Sequence, residues 1–214
     1  MTILAFEFSS ARRSVAVAQN RRVLAEVIET GAGATRAFGM IETALREAKL
    51  ERGQVEAIAV GLGPGSYTGI RVALAVAQGW QLARGIKLLG VSSAGTIAAQ
   101  AQAEKISGRV NVLIDAQRNE FYLATWEISE TGRKETGPLR IVTLADIQSR
   151  PGEIFVGPEA ARWIAGGRNL FPRAAMLAEL AADRDDFTPG EKLQPIYLRE
   201  TNFVKAAAPR AGLH

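Results

Sequence analysis

Residues 2–17 read "TILAFEFSSARRSVAV": an apolar run that ends in an acid, a polar turn, and a second apolar run. This pattern predicts two strands joined by a hairpin. The pattern returns at residues 109–122 as "RVNVLIDAQRNEFY". Glu7 precedes Ser14 by seven residues and Asp115 precedes Tyr122 by seven, so the openings also agree in spacing. The repeat predicts two halves of like topology, although mixed domains can share strand periodicity by chance.

The segments that follow each hairpin extend the repeat. In the first half we predict a third strand at 21–30, a helix at 34–50, a strand at 55–63, a helix at 67–84, a strand at 86–93 and a helix at 94–105 capped by Ser92 or Ser93. The second half offers a third strand and short helix within 137–148, a strand and helix within 153–165, and a last helix at 173–183. The sequence therefore predicts an α/β protein with lobes 1–106 and 107–214, each of βββαβα type.

The composition narrows the possible chemistry. The 214 residues are 47% hydrophobic, include no cysteine and contain one histidine, His214. Disulfide scaffolds, thiol nucleophiles, histidine catalysis and zinc sites are therefore not expected. No apolar run approaches the roughly 20 residues of a membrane span, so we expect a cytoplasmic protein with no membrane partner. The net charge of +4 comes from scattered pairs such as Lys205/Arg210, which are either solvated hairpin tips or a surface that faces RNA.

The acids at the two strand ends allow two interpretations. Glu7 and Asp115, with Ser9 beside the first, could hold a magnesium-bound nucleotide between the lobes. Alternatively, both acids hydrogen-bond the amides of their own hairpins. The second interpretation is favoured because neither hairpin contains a glycine that would let the backbone approach a phosphate.

The glycine-rich stretch "GLGPGSYTGIRVALAVAQGW", residues 61–80, raises a similar choice. Its glycines could bring amides to an anion at a helix N-terminus, or they could turn the chain sharply into the helix. The stretch is neither a Walker A motif nor a G-x-G-x-x-G fingerprint. The helix behind it is apolar around almost its whole circumference, so it must be covered on more than one side. With the helix at 34–50 it could form a surface that docks on another chain, or both helices could be buried.

Four segments together resemble the bacterial TsaB family: "ILAFEFSSARRSVAV", "GLGPGSYTGIRVALAVAQGWQLARGIKLLGVSS", "VLIDAQRNEFY" and "PIYLRE". The resemblance implies an actin/sugar-kinase/Hsp70-like ATPase fold with a truncated second lobe. It implies a non-catalytic dimerization subunit, without cofactor or metal, for the paralogous TsaD. With TsaE, TsaD transfers threonylcarbamoyl to N6 of the adenosine 3′ of the tRNA anticodon.

The resemblance also implies where the partners bind. TsaD, or a second copy of the chain when TsaD is absent, would contact the two helices that form the docking surface, and tRNA is a further candidate partner through the complex. The residues expected at this interface are Phe38, Ile41, Leu45, Tyr67, Ile70, Arg71, Leu74 and Ala77.

The chain departs from the family pattern at two places, and two other functions compete with the scaffold. Glu7 and Phe8 replace the usual Asp and Thr, which weakens a nucleotide role there. "GAGATR" replaces a His-Ser-Glu stretch, which changes the contacts before the first helix.

The alternative to the scaffold is an active magnesium-dependent small-molecule kinase or ATPase that uses Glu7 and Asp115. A peptidase would need a base for a serine such as Ser66, and no histidine lies within the fold to supply it.

Overall fold

The structure is a computed structural model that describes residues 1–31, 36–148, 150 and 152–198. Positions 34 and 35 of the predicted first helix, and Lys205, Arg210 and His214, lie outside the described residues. Two five-stranded sheets form the framework, one from each half of the described chain.

The first sheet carries the predicted meander. Its strands are β1 (Thr2–Glu7), β2 (Arg12–Gln19), β3 (Arg22–Thr30), β4 (Ala57–Gly61) and β5 (Lys87–Val91), in the order β3-β2-β1-β4-β5. The first three strands are antiparallel, whereas β4 runs parallel to β1 and β5 runs parallel to β4. Glu7 pairs with Ser14 across the first hairpin. The prediction of three consecutive strands at the start of the chain, a hairpin and a third strand, is therefore confirmed.

The second sheet repeats this arrangement. Its strands are β6 (Gly108–Asp115), β7 (Glu120–Ile128), β8 (Arg133–Thr143), β9 (Ile154–Gly157) and β10 (Arg168–Asn169). Their order, β8-β7-β6-β9-β10, is the order of the first sheet. Asp115 pairs with Phe121 and not with Tyr122, the residue that corresponds to Ser14 in the first hairpin. The loop of the second hairpin is therefore one residue shorter than that of the first. The duplicated sheet order confirms the actin/sugar-kinase/Hsp70-like fold class.

Six helices of the described residues flank the sheets. They are α1 (Ala37–Ala48), α2 (Tyr67–Arg84), α3 (Ser93–Ala103), α4 (Leu144–Gln148), α5 (Ala160–Trp163) and α6 (Ala174–Ala181), with single 3₁₀ turns at Arg52–Gln54 and Gly190–Lys192. The Ser92 side chain caps α3 by accepting a hydrogen bond from the Gly95 amide, which confirms one of the two predicted caps.

Successive side chains of a strand point to opposite faces, and both faces of the first sheet are apolar. Leu4 and Phe6 of β1 point to the face covered by α1 and α2, whereas Ile3 and Ala5 point to the face covered by α6. On the second sheet, α3 covers the face of Val112, and α4 and α5 lie on the opposite face. Two helices are thus exchanged between the halves: α3 follows the first sheet but packs on the second, and α6 does the reverse.

The N-terminus of α6 is held by side chains of the first sheet. The Ala174 amide donates to Ser14 Oγ at 2.8 Å, and the Ala175 amide donates to Glu26 Oε1 at 3.0 Å. Arg173, just before the helix, forms an ion pair with the same Glu26 carboxylate, whose side chain is almost fully buried. These contacts satisfy amides that every helix leaves unpaired in its first turn. The division into lobes 1–106 and 107–214 stays a prediction, because α6 completes the first sheet from beyond that boundary.

Candidate protein-binding surface

The glycine-rich loop between β4 and α2 packs tightly on the first hairpin. The Ser66 amide donates to the carbonyl of Ser9 at 2.7 Å, and Ser66 Oγ caps α2 by accepting from the Gly69 amide at 3.3 Å. A Cβ atom at Gly65 or Gly69 would collide with the carbonyl oxygen of Ser9 or Phe8, so both positions require glycine.

Four amides of this loop bond within the chain. Besides the Ser66 and Gly69 amides, the Leu62 amide donates to the carbonyl of Val91 at 2.8 Å, and the Gly63 amide donates to Ser93 Oγ at 3.1 Å. An anion cradle needs amides that point at the ligand without a protein partner. This pattern favours the sharp turn over the phosphate cradle.

Glu7 is fully buried where β1 ends. Its carboxylate accepts from the Ser9 amide and from Ser93 Oγ, both at 2.9 Å, and it leaves no room for a Cβ atom at Gly61. Burial raises the pKa of Glu7 above its ordinary value, while the bonds from Ser9 and Ser93 oppose that rise. The carboxyl group therefore faces β4 and α3 inside the protein.

Asp115 ends the equivalent strand of the second sheet in a partly exposed position. It accepts a 2.7 Å hydrogen bond from the Gln117 amide of its own hairpin. Ser9 is buried beneath the first hairpin. The contacts of Glu7 and Asp115 match the interpretation in which strand-end acids bond their own hairpins, and a nucleotide role for the three residues stays a prediction.

The predicted interface residues divide into two groups. Ile41, Leu45, Ile70, Leu74 and Ala77 are at most 5% exposed and belong to the core between α1, α2 and the first sheet. Their helical spacing turns these five side chains toward the sheet, as in the alternative in which the helices are buried, and their contact with a partner stays a prediction. Phe38, Tyr67 and Arg71 lie on the outside, and the first two are 69% and 52% exposed.

An apolar groove runs between the outer faces of α1 and α2. This α1–α2 groove has a volume of about 330 Å³ and is lined by Phe38, Ile41, Arg52, Ala75, Val76, Gly79 and Trp80. The Arg52 guanidinium is paired with Glu42 of α1 across 2.5 Å. Leu82, farther along α2, is 89% exposed. Sequence reasoning missed Trp80 and Leu82 as surface residues, although the position of Leu82, two turns of the helix after Ala75, could have indicated it.

A second cluster at the start of α2 includes a residue to which the sequence assigned no role. The Tyr197 ring stacks on the Tyr67 ring with 5.7 Å between the ring centres, and the Arg71 guanidinium lies 3.8 Å from the centre of the Tyr67 ring. Tyr197 and its neighbour Leu198 are about 40% exposed. The signal available in the sequence was the apolar and aromatic "PIYL" near the end of the described chain.

A further cavity of about 440 Å³ lies between the start of α3, β7 and the end of α6, beside Ser92, Trp126, Arg133 and Arg184. Burial lowers the pKa of the Arg133 guanidinium. Neither this cavity nor the α1–α2 groove is lined by Glu7, Ser9 or Asp115.

Two searches of the described residues bear on other classes of site. In that part of the chain, histidine, cysteine and acidic side chains form no group of three or more that could hold a metal ion. None of the helices there is both long and apolar enough to cross a membrane.

Comparison with known proteins gives consistent matches. The family model described as TsaD, tRNA N6-adenosine threonylcarbamoyltransferase, matches residues 33–192. The Escherichia coli tRNA threonylcarbamoyladenosine biosynthesis protein TsaB is 29% identical over 185 residues, which cover 77% of this chain and 79% of that protein. The Bacillus subtilis TsaB is 28% identical, with 68% of this chain and 64% of that protein covered.

A solved structure of similar shape extends the match to nearly the whole described chain. YeaZ from Pseudomonas aeruginosa superposes with a TM-score of 0.78 at 28% identity, covering 92% of this chain and 99% of that one. A second structure from the same organism, described as similar to peptidase YeaZ, has a TM-score of 0.79 at 27% identity.

Proposed function

Because the chain belongs to the TsaB family of tRNA threonylcarbamoyladenosine biosynthesis proteins, we propose that it serves this pathway as a subunit without catalysis of its own. Its partner is a TsaD-like threonylcarbamoyltransferase, and a TsaE-like ATPase joins the pair in the working complex. A second copy of the chain takes the place of the partner when TsaD is absent, and tRNA is reached through the assembled complex. The modified atom is N6 of the adenosine 3′ of the anticodon.

One observation carries this proposal: the outer faces of α1 and α2 expose large apolar side chains beside an unfilled groove. Phe38, Ala75 and Val76 line the groove, and Leu82 is exposed farther along α2; we call these four residues the apolar strip. Exposed apolar patches of this kind, rimmed by charged residues such as Arg52 and Glu42, mark protein interaction sites in soluble proteins. The strip lies on helices whose inner faces are already committed to the core, so it is free to bind a partner.

The alternative, a small-molecule kinase or ATPase, has less support. The Glu7 carboxylate accepts hydrogen bonds from Ser9 and Ser93 inside the protein, and four amides of the glycine-rich loop bond within the chain. A peptidase is disfavoured for two reasons. Ser66 Oγ already caps α2, and the single histidine of the sequence, His214, is far from Ser66 along the chain.

The proposal is tested by light scattering coupled to size-exclusion chromatography on the chain mixed with the TsaD-like subunit of the same organism. Wild type should form a stable complex, and Phe38→Glu or Ala75→Arg should abolish it while circular dichroism stays native. Leu24→Glu provides a matched control, since Leu24 is also an exposed apolar residue but lies on β3 outside the groove.

A wild-type chain that ignores the TsaD-like subunit would contradict the scaffold role. Calorimetric titration of the chain with ATP and magnesium then tests whether it is a kinase or ATPase. Binding that is lost in Asp115→Ala would favour the kinase or ATPase.

A further inference from the structure

The cluster of Arg71, Tyr67 and Tyr197 is built from two separate parts of the chain. Tyr67 begins α2 and Arg71 follows one turn later, so both side chains lie on the same side of the helix. Tyr197 arrives from the segment 188–198, which is anchored beside the loop by the hydrogen bond from the Ile196 amide to the carbonyl of Leu62 at 2.8 Å. We call these three side chains the Arg71 cluster.

The two rings fix the plane of the guanidinium. Arg71 Cζ lies 3.8 Å from the centre of the Tyr67 ring and 6.0 Å from that of Tyr197. Cation–π stacking of this kind holds a guanidinium by its face and leaves its edge, with the N–H donors, pointing away from the ring. The side chain is thereby ordered before any ligand arrives, which lowers the entropy lost on binding.

The edge of this guanidinium has no acceptor within the described chain. Among residues 1–31, 36–148, 150 and 152–198, no hydrogen bond or ion pair to Arg71 is present, although other arginines such as Arg52, Arg173 and Arg184 are paired with acids. An ordered and unpaired fork of donors matches the two oxygens of a carboxylate or a phosphate.

The surroundings decide between these two acceptors. Tyr67, Tyr197 and Leu198 are among the few large apolar side chains exposed in the described chain; the two tyrosine rings lie beside Arg71, and Leu198 follows Tyr197 in sequence. Among the described residues at this cluster, one arginine lies against aromatic side chains, which is the composition of a protein–protein hot spot. Surfaces that follow an RNA backbone gather several cations instead.

We infer that the Arg71 cluster binds the carboxylate of an aspartate or glutamate on the partner protein, flanked there by apolar residues. This inference rests on the proposed function, since it specifies one contact of that partner. It makes the start of α2 a second anchor, next to the α1–α2 groove on the same pair of helices.

The test is calorimetric titration of the chain with the TsaD-like subunit at low and high salt. Arg71→Ala should raise the dissociation constant roughly tenfold or more. It should also flatten the salt dependence of that constant. Arg71→Lys keeps the charge but loses the planar fork, so it should recover only part of the affinity. Arg84→Ala is the matched control, because Arg84 is an exposed arginine at the far end of the same helix, and it should bind like wild type.

Two further variants locate the acceptor. Glu200→Gln tests whether Arg71 pairs with an acid of its own chain, because Glu200 is the first acidic residue after Tyr197 in the sequence. This variant should bind the TsaD-like subunit as tightly as wild type. Arg71→Glu should be rescued by one acid-to-lysine substitution found in a scan of the partner's surface.

The outcomes separate this inference from the proposed function. If wild type and Arg84→Ala bind the partner but Arg71→Ala binds equally well, the inference is overturned while the scaffold role stands. Full recovery by Arg71→Lys would also overturn it, as would a loss in Glu200→Gln equal to that in Arg71→Ala. If Arg71→Ala weakens binding of tRNA and leaves the protein complex intact, the acceptor is a phosphate and the inference fails. No binding by wild type contradicts the proposed function itself.

Discussion

At the scale of a single residue, Glu7 and Asp115 differ in what surrounds their carboxyl groups. Both end the first strand of a sheet, and both accept a hydrogen bond from an amide two residues on. Glu7 is also enclosed by Gly61 and Ser93, whereas Asp115 stays partly exposed. Burial penalises the ionised form and raises the pKa of Glu7. The longer side chain has turned a strand-end acid into a core residue.

The raised pKa of Glu7 predicts a pH dependence of stability. Above the ordinary value of 4.5, the unfolded chain ionises Glu7 while the folded chain retains the proton. The folded state then binds more protons, so the free energy of unfolding should fall as pH rises from there to the folded pKa, by at most about 1.4 kcal/mol per pH unit. Glu7→Gln removes this slope, so the variant should gain stability relative to wild type across that window.

Urea denaturation of wild type and Glu7→Gln at a series of pH values measures this difference. Glu47→Gln, at an exposed position of α1, is the control and should keep the wild-type slope. A difference between Glu7→Gln and wild type that stays constant with pH, or that shrinks as pH rises, would contradict the assignment.

At the scale of an element, α2 explains how a helix that is apolar almost all round is covered by one chain. The first sheet takes Ile70, Ala73 and Ala77. The segment 188–198 crosses another side, where Gln78 Nε2 donates to the carbonyl of Gly190 at 2.8 Å and Gln81 Oε1 accepts from its amide at 2.6 Å. The strip that borders the α1–α2 groove and the side of the first turns that carries Tyr67 and Arg71 are left open.

Two glycines of α2 should respond in opposite directions to the same substitution. Gly69→Ala would drive a methyl group into the carbonyl of Phe8, so it should cost about 1–3 kcal/mol of unfolding free energy. Gly79→Ala meets nothing within 4 Å and should add about 0.5–1 kcal/mol, because alanine loses less backbone entropy in a helix. Urea denaturation measures both values. Equal effects at the two positions would show that the first turn of α2 does not pack against the carbonyl of Phe8 as described.

The whole molecule is tied together by the exchange of α3 and α6 between the two sheets. Without α6, one face of the first sheet would expose Ile3, Ala5, Ala16 and Leu89 to water. We therefore expect residues 1–106 alone to lack a cooperative unfolding transition, and a synthetic peptide of residues 170–198 to restore it. Circular dichroism during heating measures both. A cooperative transition of the fragment near that of the full chain would show that the first lobe folds independently.

The sequence predicted the succession of strands along the chain well because each strand is a short apolar run bounded by polar turns, and the repeat of Glu7 and Asp115 marked the two openings. The surface was harder to predict. Ile41, Leu74 and Ala77 follow a helical period that fits a core face and a docking face equally. In the structure all three pack in the core beside the first sheet. Tyr197 could not be placed because 130 residues separate it from Tyr67, and only the fold brings the two rings together.

The capping of α6 by Ser14 and Glu26 also bears on how the protein is made. These side chains leave the ribosome early, but the helix that they hold is translated some 150 residues later. The first sheet must therefore wait with one apolar face uncovered until almost all of the described chain has been synthesised. During that interval the nascent chain offers a hydrophobic surface to chaperones, and a pause in translation before α6 would prolong its exposure.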